Sequence, residues 1–303
     1  MISEQELLDE YKKYDYLNED DKRPLVKILV SYVKPSFLFK SEILTPIQLG
    51  RAVENAPSKD GIQSSENLKW LHEHCEFHDD FEGGISEHNR RIGFLTGTYW
   101  AWKNYDKLGN PQYFGSFGYR RFFKTDFLEK LNNYDCIIPC RVDFSKTGPT
   151  IKDHILKLQG QNTLNIIVDV LNKMHPEDKH KFRYYLKSQS AYIYEIYVMK
   201  RDLFFEFCEW IFPLLFELLK ISPEKYKFKD DNSLEAKFVE ESGEVRDIAY
   251  VIEILTGFYC HKLDICDNLV SKQQSMSYIL SNDSNSNKTK LVMKLLREKL
   301  KKL

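Results

Sequence analysis

Two adjacent arginines, Arg120 and Arg121, close a short aromatic run at residues 113–117. The run is punctuated by glycine and predicts a buried strand, which puts both cations at a strand end. Ligands collect at that edge in open α/β sheets. A guanidinium is a planar fork that matches phosphate oxygens bidentately, so the pair points to an anion, most simply a phosphate. One solvent-facing arginine and one structural ion pair would use the same two residues, and both readings stay open here.

A second cluster joins His72, His74, Cys75 and His78 with acidic neighbours. His74 and His78 fall at i, i+4 on a helix, but no matching second pair exists and the spacing fits no standard metal site. No metal ligands are assigned. The six cysteines contain no Cys-x-x-Cys pair and suggest no disulfide framework. There is no Gly-x-Gly-x-x-Gly after the first strand, no Walker phosphate loop and no Gly-x-Ser-x-Gly elbow. Dehydrogenase, ATPase and α/β-hydrolase readings therefore lose support. A net charge of −1 argues against nucleic acid as a partner.

The elements that must position these groups alternate. Residues 2–13 predict a short polar helix within an N-terminal extension, residues 1–24. Residues 25–32 are apolar enough to be a parallel strand buried on both faces. Residues 45–50 read as a loop or a short helical turn. Ser64 or Ser65 caps a helix through His74. Ile92, Leu95, Tyr99 and Trp102 share one helical face. Asp126 is expected to cap a helix through Leu131, and residues 134–139 form a strand. Helices at 151–159 and 163–174 precede a strand at 191–199. A helix at 202–220 carries Pro213, where a kink or a split is expected. The helix at 245–260 follows a charged loop at 227–243. Residues 271–287 are rich in Ser and Asn and read as a linker. Residues 288–303 form a basic amphipathic helix suited to an anionic membrane surface or to a protein partner. The acidic N-terminus lacks the apolar core of a signal peptide, so a cytoplasmic location is expected, with peripheral contact at the inner face of the membrane. Strand–helix alternation predicts an α/β fold with a mostly parallel central sheet and a largely helical C-terminal part.

The chain resembles the bacterial capsular polysaccharide synthesis glycosyltransferases, which include galactofuranosyltransferase-like enzymes. The resemblance runs in order from Leu25 to Lys262. It rests on Lys34-Pro35, Pro46-Ile47-Gln48-Leu49-Gly50, Ile85-Ser86 with Asn89, and Leu95-Thr96. It continues through Tyr99-Trp100-Ala101-Trp102-Lys103-Asn104, Tyr119-Arg120-Arg121-Phe122, Glu209-Trp210-Ile211-Phe212, and Arg246, Tyr250, Glu253 and Leu255. Val33 and Gly118 stand where the family pattern has histidine, and Phe94 where it has an acid.

The resemblance implies a GT-A-like domain over residues 25–270. It implies transfer of a sugar, galactofuranose among the candidates, from a nucleotide-diphosphate donor, with UDP as the expected nucleotide. The acceptor would be a glycan or lipid-linked glycan of the capsule, and displacement would be inverting. Such chemistry must neutralise the leaving diphosphate and deprotonate the acceptor hydroxyl. The chain has no Asp-x-Asp to hold a divalent ion, so Arg120 and Arg121 are expected to do that work, helped by Lys34 or Lys103. Mn or Mg remains the one cofactor left open. Glu253, on an apolar helix, is the expected base and Asp143 the reserve. An ion pair between Glu253 and Arg246 is the structural alternative. Tyr32, Gln48, Asn89 and Tyr119 complete the expected donor site, while Trp102 more than Trp100 is expected to be core. The departures at positions 33, 94, 118 and 195 motivate an alternative, a catalytically inactive nucleotide-sugar or glycan-binding protein on the same fold.

Overall fold

The structure, a computed structural model, describes residues 2–18, 23–57, 61–144, 149–192, 194–221, 247–277 and 279–280. The first half of the chain contributes β1 (Ile2–Ser3), α1 (Glu4–Lys12), β2 (Val26–Tyr32), β3 (Leu44–Gln48), α2 (Ser65–His74) and β4 (Phe77–His78). Next come α3 (Asn89–Ile92), α4 (Leu95–Lys103), β5 (Tyr113–Gly118), β6 (Phe122–Phe123), β7 (Cys136–Pro139) and β8 (Val142–Asp143). The second half holds α5 (Ile151–Met174), α6 (Lys179–Tyr185), β9 (Ser190–Ala191), β10 (Tyr197–Lys200) and α7 (Arg201–Leu219). It ends with α8 (Asp247–Asp264), β11 (Ser271–Gln274), β12 (Met276–Ser277) and β13 (Ile279–Leu280).

A seven-stranded sheet of order β11-β7-β10-β5-β2-β3-β4 is the spine. Strand β10 is antiparallel to both neighbours, and every other neighbouring pair is parallel. Side chains alternate between its two faces. On β2, Val26, Ile28, Val30 and Tyr32 enter one core with Leu7, Leu8 and Tyr11 of α1, while Leu29 enters the other. That second core is the larger and takes in the apolar sides of α4, α5, α7 and α8. Each fully buried Leu or Phe there contributes about 1.5–3 kcal/mol. The fold is thus mixed α/β, with a mostly parallel sheet flanked by helices.

Several elements differ from the reading of the sequence. Residues 45–50 are not a loop, since Thr45, Pro46, Ile47 and Gln48 lie in β3, inside the sheet. The Pro46 carbonyl accepts from the Glu76 N–H at 3.0 Å, and β4 pairs only from Ile47 onward. The donor that proline lacks therefore falls where pairing has not begun. Residues 271–274, expected to open a linker, form the edge strand β11 against β7. The N-terminal part is not a separate extension, because α1 packs into the core and β1 pairs with β13. The expected strand at 191–199 is divided into β9 and β10. Lys124, not Asp126, occupies the cap position of a 3-10 stretch, Thr125–Asn133. Gly93, at φ 61°, separates α3 from α4 and so splits the expected apolar face. Helix α7 runs through Pro213. Helix α5 spans both expected helices, with Gly160 at φ 77° as the break. No helix among the described residues is long and apolar enough to cross a membrane. The expected helix at 288–303, the loop at 227–243 and Arg246 lie outside the described residues.

Candidate functional site

The two arginines sit at the tip of a tight turn. Gly118 bridges Arg121, whose N–H donates to the Gly118 carbonyl at 2.8 Å. Buried aromatics anchor the turn on both sides: Tyr119 stacks on Tyr32 at 5.5 Å, and Phe122 and Phe123 are fully buried in β6. Both guanidinium groups are left exposed, Arg120 lying over the Tyr119 ring at 4.9 Å and Arg121 over Tyr194 at 4.8 Å. Neither forms an ion pair among the described residues. Stacking orients a guanidinium without consuming its N–H donors. Lys34 follows β2 at this same carboxyl edge of the sheet.

Glu253 reaches this edge from α8. Its neighbours Val251, Ile252 and Leu255 are buried. Burial pushes its carboxyl from an ordinary 4.5 up to about 7, while the nearby Arg121 pulls it back down. Glu253 also lines a cavity of about 160 Å³ walled by Tyr185, Tyr192, Tyr250, Ile254 and Ile155. The structure therefore brings together two guanidinium groups with no ion pair among the described residues, a carboxyl group pushed up to about 7, and a hollow beside it.

Other expected members are placed elsewhere or are occupied. Tyr32 is fully buried, and its hydroxyl donates to the Phe37 carbonyl and accepts from the Phe39 N–H, so it pins the loop after β2 and cannot stack on a base. Gln48 is 2% exposed, and its amide is shared between Glu54 and Arg51. Asn89 donates to the Gly93 carbonyl and to Thr96, fixing the break between α3 and α4. Lys103 stands at the wrong end of the sheet. Gly97, early in α4, abuts Leu49 and Ser31 at the carboxyl ends of β3 and β2, whereas Gly109, just past the helix, abuts Pro24 before β2 begins. The Lys103 ammonium lies over Trp102 at 3.4 Å. Trp100 is the more buried tryptophan, at 3% exposure, and Trp102 stacks half-buried on Phe212. Asp143 is exposed on β8, opposite Ser190.

Among the described residues the carboxylates are occupied or scattered. No three His, Cys, Asp or Glu converge among the described residues. Asp79, at the end of β4, accepts from the Gly50 and Arg51 N–H groups and from the Ser86 hydroxyl. It clasps β3 to the following loop. His72 contacts Glu54 at 2.9 Å, and the His74 ring stacks on Trp70, so the histidine cluster is divided between separate structural contacts.

Residues missed from the sequence include Gln159, His154 and Tyr192 on the cavity, and Arg141 beside it. Arg141 donates to the Tyr192 hydroxyl at 2.8 Å and to Asp264 at 2.6 Å, and Gln273 of β11 joins them. Burial opposes ionisation of Asp264, but bonds from Tyr192, Gln273 and Arg141 hold its pKa low. The network locks the edge strand to α8 and to the cavity wall. Gln159 had a readable signal, since it extends the stripe Ile151, Ile155 at i+4 spacing while being polar.

The family described as "Domain of unknown function (DUF4422)" matches residues 27–261. The chain belongs to this family. Its fold is also that of a solved structure titled "WbbM bifunctional glycosytransferase apo structure", at a TM-score of 0.63 and 21% identity, over 84% of this chain. The chain spans 45% of that chain's length, less than half. No curated protein matches it. The likeness shows a shared fold, and the matched family segment holds Arg120, Arg121 and Glu253.

Proposed function

We propose that this protein is a glycosyltransferase that moves a sugar from a nucleoside-diphosphate donor, UDP-linked, to a glycan acceptor of a surface polysaccharide. The observation that carries the reading is Glu253, a buried carboxyl group beside both Arg121 and a cavity, which burial pushes up to about 7. Arg120 and Arg121 would grip the diphosphate, with Lys34 at the rim, and neutralise charge as the anomeric C–O bond breaks. Glu253 would take the proton from the acceptor hydroxyl as its oxygen attacks the anomeric carbon, giving inversion by direct displacement. The guanidinium pair supplies positive charge where a divalent ion would otherwise sit, and no step here needs one.

Calorimetry with UDP and a donor-hydrolysis assay test this. Removing Arg120 and Arg121 together deletes charge-assisted bonds worth about 1.5–3 kcal/mol each, so UDP affinity should drop at least tenfold. Glu253→Gln should bind UDP normally and lose turnover. Turnover that vanishes in excess chelator and returns with manganese would refute the arginine role. UDP binding without turnover in the wild-type chain would instead favour a binding protein on this fold.

A further inference from the structure

The cavity beside Glu253 contains a buried acceptor with nothing to accept. Gln159 is 7% exposed, lines the cavity, and its Oε1 has no hydrogen-bond partner. A buried polar atom left unpaired is destabilising, and native structures hold few of them. A residue that keeps one facing a cavity is explained when a ligand brings the missing donor.

The remaining walls say what kind of donor. Tyr185, Tyr192, Tyr250 and Phe144 present aromatic surface, and no Lys or Arg among the described residues lines the space. His154 stacks on Phe144 at 5.0 Å, and burial, with Lys157 nearby, lowers its pKa, so the ring is neutral at pH 7. An anion would find no cation among the described lining residues and would meet the Glu253 carboxyl group. A wholly apolar ligand would leave Gln159 orphaned. A neutral ring bearing hydroxyl groups satisfies both the aromatic walls and the amide oxygen. A cavity of about 150 Å³ accepts a benzene ring, so the 160 Å³ here holds one six-membered ring. The break at Gly160, φ 77°, directly follows Gln159 and bends α5 at the cavity wall. Arg121 does not line the cavity, so Glu253 stands between the cation pair and the hollow.

We infer that this cavity is the subsite for the terminal sugar of the acceptor, a neutral hexose, with Gln159 Oε1 accepting from one of its hydroxyls and Glu253 facing the hydroxyl that reacts. Its assignment to the acceptor rests on the proposed donor site at Arg120 and Arg121; the hexose site itself does not.

Saturation-transfer NMR on the full chain tests it, using the methyl pyranosides of glucose, galactose and mannose and methyl galactofuranoside. At least one should receive saturation. Gln159→Met, which keeps the shape and removes the acceptor, should weaken that glycoside about tenfold without lowering Tm. Failure of all four probes, or undiminished binding to a folded Gln159→Met, overturns the subsite and leaves a bound water as the partner. Should that variant not fold, Ile254→Trp narrows the same cavity, and unchanged binding to it also overturns the proposal. Displacement of the glycoside by a UDP-hexose but not by UDP would give the pocket to the donor's own sugar and overturn the acceptor assignment. Separate calorimetry with UDP keeps the two readings apart: glycoside binding without UDP binding removes the donor site and leaves the hexose site standing.

Discussion

Glu253 holds its proton more tightly folded, near 7, than unfolded, at an ordinary 4.5. Between those values the folded chain binds more protons, so this group's contribution to stability is present below about 4.5, falls as pH rises to about 7, and then levels. Glu253→Gln removes the dependence. Urea unfolding should show the variant equal to wild type at the acid end and more stable above pH 7, by up to about 3 kcal/mol. A gap that does not widen with pH would mean the carboxyl group is well solvated. If the same group is the base, donor turnover should rise through a midpoint near 7. Arg121→Ala should move that midpoint upward, because the cation that favours the ionised form is gone.

Helix α8 carries that carboxyl group, and one residue sets how close the helix lies to the cavity wall. A Cβ at Gly257 would stand 2.2 Å from the Tyr192 carbonyl oxygen and 2.9 Å from the Tyr185 hydroxyl. Alanine favours a helix over glycine by up to about 1 kcal/mol. Overpacking against fixed backbone costs about 1–3 kcal/mol, so the clash should win. Gly257→Ala is expected to lower the urea midpoint and to reduce turnover, since Glu253 lies one turn away on the same helix. A more stable Gly257→Ala would show that the contact is looser than the structure places it.

Across the whole molecule, the sheet is completed late in the chain. Strand β11 covers the β7 edge, and Gln274 donates from it to the Lys124 carbonyl. Gln273 and Ser271 meanwhile hold Asp264 at the foot of α8. A chain ended at Asn268 would expose β7 as an edge and take the Ser271 and Gln273 donors away from Asp264. Thermal unfolding should fall by several degrees, and light scattering should show aggregation. A truncated chain that melts like the full one would return residues 271–280 to the linker role their composition suggests.

Local order in the chain was enough to reveal β2 and β5, the two halves of α5, a serine cap of α2 at Ser64 or Ser65 and the placing of two arginines at a strand end. Each depends on periodicity, a breaker or a neighbour a few residues away. Pro46 misled because a proline in sequence does not say on which side of a strand its missing donor falls. Lys103 misled because a helix antiparallel to a strand carries its last residues to the opposite end of the sheet. Only the folded chain could set Arg121 beside Glu253, bury Gln159 against a hollow and close Asp79 onto Gly50. Burial and charge proximity between distant segments are properties of packing, and no local pattern encodes them.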